Sequence, residues 1–340
     1  MDWNKISAVL ADQPAYRLKQ ARQVVFKDLI DDWGRATSLP IDLRQKLAAE
    51  APLGIEAKVV EGGQSDKAVI TLADGAIIET VLIKNADGRQ TVCVSSQVGC
   101  PLGCAFCATG RLGFKRNLRA SEIVSQLLFW QRRLAASDSK VNNLVFMGMG
   151  EPLLNYSEVM AAIRQINDAD FCNLGARHIS ISTAGIIPGI EKLAKENLQI
   201  NLAISLHAAD DELRSELMPV NREYPLKELM AAVDEYILVT GRQVMIEYLL
   251  IKDVNDRLSD AKKLARLVSR PLYMVNLLHY NPTGTFAPSE PSVAQAFQKA
   301  LAGFGIRVTM RHSAGAEIAA ACGQLAANCR PEKKKSKGKG

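Results

Sequence analysis

The sequence predicts an α/β protein built on a partial (β/α) barrel, preceded by an N-terminal helical region and a short β-rich extension. Three observations predict it. From about residue 91 onward, short β-rich runs alternate with helical periodicity, the pattern of parallel strands joined by outer helices. Residues 1–55 space their apolar residues as helices do. Residues 56–90 hold short β-rich runs broken by Gly62-Gly63, Asp74-Gly75 and Asp87-Gly88, which read as turns. The expected divisions are therefore a helical accessory domain over 1–55, the extension over 56–90, the core over 91–329 and a basic tail over 330–340.

Each element has its own signal. Tyr16 to Trp33 reads as one helix, and Pro40 followed by Leu43, Leu47 and Ala48 starts another. Val59-Val60, Val69 to Leu72 and Ile77 to Ile83 read as strands of the extension. In the core the expected strands are Thr91 to Val94, Leu144 to Met147, His178 to Ile181, Ile200 to Ser205, Val244 to Leu250, Met274 to Leu278 and Arg307 to Met310. Helical stretches fall between them at Ala120 to Leu134, Tyr156 to Ile166, Ile187 to Asn197, Leu226 to Leu238 and Asp256 to Val268. In such folds the chemistry gathers at the C-terminal ends of the strands.

Composition narrows the class. A hydrophobic fraction of 48% and a charged fraction of 23% fit a globular protein. There is no apolar run of the length a membrane span needs, and the N-terminus lacks a signal-peptide layout, so a cytoplasmic protein without membrane contact is expected. The net charge of +6 is concentrated in the tail, where Arg330 to Gly340 hold six basic residues and one acid. The body is thus near neutral, and any nucleic-acid footprint must be a local patch. The tail itself reads as a solvated end, with loose phosphate contact the alternative. Seven cysteines, an odd number in a reducing compartment, argue against a disulfide framework.

Three of those cysteines form the loop Gly99-Cys100-Pro-Leu-Gly-Cys104-Ala-Phe-Cys107, just after the first core strand. Three thiolates are one short of a closed structural zinc site. They suit a 4Fe-4S cluster with one iron left open, while Gly99 and Gly103 let the backbone wrap closely. A zinc knuckle or buried cysteines are the alternative. Other polar residues fall at expected strand ends: Gly150 and Glu151 after the second strand, Ser182 after the third, Ser205 and His207 at the fourth, and Asn281 at the sixth. Taken singly, each is more often a satisfied strand-end group.

The C-x3-C-x2-C spacing, with the aromatic Phe106 before the last cysteine, resembles the radical-SAM signature. Cys93-Val-Ser-Ser-Gln-Val-Gly-Cys100, Phe146-Met-Gly-Met-Gly-Glu151-Pro152, Ser205-Leu206-His207 and Ala321-Cys322-Gly-Gln-Leu325 are similar to the RlmN/Cfr family of RNA adenine methyltransferases. The resemblance covers nearly the whole chain. It implies a 4Fe-4S cluster on Cys100, Cys104 and Cys107, with S-adenosylmethionine (SAM) on the open iron. Gly150, Glu151, Ser182, Ser205, Leu206, His207 and Asn281 match positions that hold SAM in that family.

The resemblance also implies covalent catalysis, because carbon 2 of adenine is not nucleophilic. Cys322 is expected to carry a methyl group, Cys93 to release the product through a transient disulfide, and Glu79 to accept the ring proton. Glu79 otherwise reads as an exposed strand carboxylate. Cys172 reads as a small buried apolar residue and Cys329 as incidental. His178, His279 and His312 read as structural.

Expected partners are rRNA and tRNA substrates and an electron donor such as flavodoxin or ferredoxin, with the chain a monomer. Arg111, Lys115, Arg116, Arg119, Arg132 and Arg133 form a basic rim near the cysteine loop, and Arg17, Lys19, Arg22 and Lys27 offer a second in the first helix. Rival readings are methylation at carbon 8, a radical-SAM enzyme with a peptide or small-molecule substrate, and a zinc-dependent RNA-binding protein.

Overall fold

A computed structural model of the chain describes residues 1–284, 286–311 and 314–325. The N-terminal region forms helices Trp3–Val9, Ala15–Arg22 and Ile41–Glu50. The helix expected to run to Trp33 instead widens into a π-turn over Gln23–Lys27 and stops at Asp28. The wide turn aims Val24, Val25 and Phe26 inward together. Trp3, Phe26 and Phe171 then pack edge to face with ring centroids 4.8–5.4 Å apart, joining this region to the core.

Two of the basic residues expected to face RNA are committed to that junction. Arg22 pairs with Asp170 at 3.1 Å and lies over the Trp3 and Phe171 rings. Lys27 donates to the Ala169 carbonyl at 2.7 Å. Trp33 is 1% exposed and donates its indole N–H to the Ala51 carbonyl at 2.8 Å. Trp33→Ala is expected to cost about 3–5 kcal/mol of stability, read as a lower denaturant midpoint at unchanged slope.

The strands are β1 (Glu56–Glu61), β2 (Ser65–Thr71), β3 (Ile77–Lys84), β4 (Gln90–Cys93), β5 (Gln97–Gly99), β6 (Phe114–Asn117), β7 (Asn143–Phe146), β8 (Ile179–Thr183), β9 (Asn201–Ser205), β10 (Val244–Leu250), β11 (Tyr273–His279) and β12 (Val308–Arg311). Ten of them make one sheet in the order β1-β2-β3-β4-β7-β8-β9-β10-β11-β12. Its first four strands are antiparallel neighbours; from β4 onward every pairing is parallel.

All seven expected core strands are present, with boundaries shifted by a residue or two. Helices Ala120–Ala135, Tyr156–Asn167, Ile187–Ala194, Leu226–Thr240 and Leu258–Leu267 fill the expected gaps. Each parallel strand lies beside its predecessor in the core, the winding of a (β/α) barrel left open at one side. The fold class expected from sequence is thus observed. Among the described residues no helix is long and apolar enough to cross a membrane.

Candidate active site

The cysteine loop is anchored before it reaches its first thiol. β5 pairs with β6 as a hairpin that sequence periodicity did not signal, and the Cys100 amide donates to the Gly113 carbonyl at 3.1 Å. A Cβ on Gly99 would sit 1.8 Å from that carbonyl, and φ is +77°, so glycine is required there. Gly103 adopts φ +63° within the loop. Farther on, the Ala105 amide donates to Leu217 O and the Cys107 amide to Cys104 O.

Cys100, Cys104 and Cys107 are half-buried and line one cavity. Burial first, then the charges of neighbouring thiols and Glu151, pushes Cys100 up to about 12 and Cys104 higher still. Such thiols ionise only against a strong positive charge. Among the described residues no three His, Cys, Asp or Glu side chains are gathered as a single-ion site.

The strand ends converge on the same cavity, which Gly150, Glu151, Ser182, Ser205 and His207 also line. Glu151 is 3% exposed, and its two carboxylate oxygens accept from the Leu153 amide (3.0 Å) and the Ala184 amide (2.8 Å). Burial still raises it to about 7. The Ser182 and Ser205 hydroxyls lie 3.3 Å apart on neighbouring strands. His207 takes a left-handed backbone, φ +59°, held by the Asn255 side chain donating to its carbonyl at 2.7 Å. Leu206 does not line the cavity: it is fully buried, its amide donating to Glu247 O and its carbonyl accepting from Arg214. Asn281 is also outside the lining and donates to the Cys322 carbonyl at 3.2 Å.

Cys322 lines this cavity and a second one as well. The second cavity is also lined by Cys93, Val81, Met147, Leu278 and Arg311. Cys93 is 7% exposed at the end of β4; burial first, then the Cys322 charge, pushes it up to about 12. Cys322 is exposed through its two cavities, yet enough protein surrounds the sulfur for desolvation to raise it too. Its loop is stitched to the cysteine loop: Ala108 N donates to Gly323 O at 2.8 Å, and Thr109 Oγ1 to Leu325 O at 3.0 Å.

Glu79 lines neither cavity. It is 0% exposed on β3, where an exposed strand carboxylate was the alternative reading, and forms an ion pair of 3.2 Å with Lys67. Of the other residues singled out, Cys172 is half-buried, His178 contacts Asn143 Oδ1 at 3.1 Å, and Cys329, His312 and the basic tail lie outside the described residues. Arg116 pairs with Asp74 and Glu122, Arg132 donates to Leu53 O, Arg133 pairs with Glu61 and Arg111 donates to Thr283 O, so these four members of the basic rim have partners within the protein.

Three residues went unnoticed in the sequence. Glu247, 4% exposed, lines the first cavity; Asn276 donates to its Oε2 at 2.9 Å, while its Oε1 has no hydrogen-bond donor among the described residues. Burial raises it to about 7, against the pull of Arg311. Arg311 lines both cavities and is the cation that favours ionisation of Cys93, Cys322 and Glu247 alike. Arg214, fully buried, ties the ends of β8 and β9 through Ala184 O (2.7 Å) and Leu206 O (3.1 Å). A lone acid in the apolar run Val244 to Leu250 was a readable signal for Glu247; the two arginines gave none.

The radical SAM superfamily profile matches residues 94–268. The chain is 47% identical over 331 residues to a Chloroflexus aurantiacus protein named probable dual-specificity RNA methyltransferase RlmN, covering 92% of this chain and 88% of that one. It is 42% identical over 328 residues to the Nautilia profundicola dual-specificity RNA methyltransferase RlmN, covering 92% and 93%. The chain belongs to the RlmN family of radical SAM RNA methyltransferases. The crystal structure of a radical SAM methyltransferase from Sphaerobacter thermophilus superposes with a TM-score of 0.92 at 42% identity, covering 96% of this chain and 98% of that one.

Membership of the superfamily implies SAM and an iron–sulfur cluster, and the cavity fits both. Three thiols share its wall, and Glu247, which also lines it, keeps one buried carboxylate oxygen without a donor among the described residues, as a site for a ligand rich in N–H and O–H groups would require. His207 contributes as a neutral imidazole. The Leu249 amide donates to its Nδ1 at 3.1 Å, and burial first, then Arg214, lowers it to about 3 from the ordinary 6.5. The stability this provides is complete above pH 6.5 and is lost as pH falls toward 3, at up to about 1.4 kcal/mol per pH unit. Urea unfolding of the anaerobic protein across that range checks it, and His207→Asn is expected to flatten the slope.

Proposed function

We propose that this enzyme methylates carbon 2 of a specific adenine in 23S rRNA and in tRNAs. One observation carries the reading: Cys322 lines two cavities at once, one shared with Cys100, Cys104 and Cys107, the other with Cys93. A side chain in that position can be loaded from one side and deliver to the other. The dual specificity in the relatives' names supports two classes of RNA.

Bound SAM and a reduced cluster would supply the methyl group and a carbon-centred radical. The protein's own residues do the rest. Cys322 carries the methyl carbon as a thioether; that carbon gives up one hydrogen atom to the carbon-centred radical that bound SAM would supply, and then bonds to carbon 2 of the base, tethering the RNA. Glu79 takes the ring proton, and the unpaired electron left on the adduct would return to the cluster. The Cys93 sulfur attacks the Cys322 sulfur, the bond from Cys322 to the methylene carbon breaks, and its electron pair leaves with the product, which takes up a proton there to complete the methyl group. The resulting Cys93–Cys322 disulfide needs an external thiol reductant before the next turnover. Arg311, beside both thiols, favours the thiolates this sequence requires.

The helical domain over 1–55, with Lys19 exposed, and the cationic residues Arg111, Lys115 and Arg119 are assigned to RNA, and a flavodoxin or ferredoxin to cluster reduction. Mass spectrometry of nucleosides from rRNA and tRNA, in cells with and without the gene, tests the reading. The expected result is loss of 2-methyladenosine from both fractions when the gene is absent. Loss of 8-methyladenosine instead would overturn it in favour of carbon 8.

A further inference from the structure

A lysine ammonium inside a protein is costly unless paired, and a buried ion pair is weak evidence of a stabilising design, because packed apolar residues of similar volume often serve folding as well. Lys67 is such a case. It lies in the middle of β2, is 1% exposed, and reaches two partners with one ammonium: Glu79 Oε1 at 3.2 Å and the Ala319 carbonyl at 3.1 Å.

The sheet register gives those contacts a direction. Lys67 stands opposite Val81, and Val81 opposite Cys93, so the three share one face across β2, β3 and β4. Glu79 lies two residues along β3 on the same face. Val81 and Cys93 line the second cavity with Cys322, and Ala319 is three residues before Cys322 in the loop that carries it. That loop is pressed against the extension at a further point: a Cβ on Gly315 would lie 2.2 Å from Ser65 Oγ.

We infer that Lys67 is a positioning residue that holds the Glu79 carboxylate in register with the Cys322 loop. The inference rests on the proposed role of Glu79 and deepens it. Once the base is tethered to Cys322, the carbon losing its proton moves with that loop. A single ammonium gripping both loop and carboxylate fixes the distance between proton and acceptor. This also gives the β-rich extension a purpose beyond edge coverage, since it supplies both the clamp and the carboxylate.

The test uses full-length, cluster-loaded enzyme with Cys93 intact, assayed on denaturing gels for protein–RNA adduct and by mass spectrometry for methylated product. Lys67→Met is expected to accumulate adduct and to slow product release by about a hundredfold, the scale on which an ångström of misplacement counts. Glu79→Gln is expected to stall in the same way, and adding Lys67→Met to it should cost less than about threefold more, because the two act as a unit. Lys67→Arg should recover most of the lost rate. Iron content and RNA affinity, unchanged, mark the variants as folded; if Lys67→Met does not fold, Lys67→Arg and Lys67→Gln carry the comparison. Wild-type turnover in Lys67→Met, or fully additive losses with Glu79→Gln, overturns the clamp. Wild-type turnover in Glu79→Gln instead overturns the proton-acceptor reading on which the clamp rests.

Discussion

Cys93→Ala is expected to leave the enzyme covalently attached to RNA, whereas Cys322→Ala should carry none. The asymmetry follows from position. Cys322 lines the cavity of the cysteine loop, and in the proposed reaction it provides the carbon that bonds to the base, so without it no link would form. Of the two cavities Cys93 lines only the second, with Cys322, and in the proposed reaction its sulfur acts after the base is attached. Its loss stalls the reaction after attachment. A purely structural role for both predicts something else, because replacing one small thiol by alanine typically costs about 1 kcal/mol and makes no adduct. Denaturing gels of protein expressed in cells, with and without ribonuclease, read the difference directly. Free Cys93→Ala protein, or RNA on Cys322→Ala, would show the assigned roles to be wrong.

Alanine at Cys100, Cys104 or Cys107 is expected to abolish cluster binding and SAM cleavage outright while the chain still folds. All three sulfurs are half-buried around one cavity, and their loop is held by backbone bonds to Gly113, Leu217 and Gly323 that alanine leaves intact. Burial first, then the neighbouring thiols, raises Cys100 and Cys104, and the pull of Arg214 on Cys104 does not offset it. Two thiolates cannot replace three, and Glu151, whose charge also raises Cys100 and Cys104, already accepts two backbone amides. Iron and sulfide assays after anaerobic reconstitution measure the loss. A full four-iron complement in any one variant would remove the cluster assignment.

The core was legible because β/α alternation is a local signal, and all seven strands followed from it. Local reading failed where the chain is held by distant partners. The helix expected to reach Trp33 stops at Asp28 because Phe26 turns to meet Trp3 and Phe171, a junction formed 145 residues later in the sequence. The β5–β6 hairpin is too short to show a period, and its register is set by the approach of Gly99 to Gly113. The thiols and strand-end polar residues were readable by type and spacing. The supports were not: Lys67 meets Ala319 across 252 residues, and Arg214 bridges two strand ends. Residue type announces what can react, whereas the contacts that aim it exist only after folding.

The stitching between the cysteine loop and the Cys322 loop makes the two a single mechanical unit. Ala108 and Thr109 follow directly on the last cluster cysteine, and both bond to the strand of chain on either side of Gln324. Thr283, close to Asn281, grips Phe106 from the third direction at 3.1 Å. A disturbance of the first loop is therefore passed directly to the second, and the two halves of the site are expected to lose their order together.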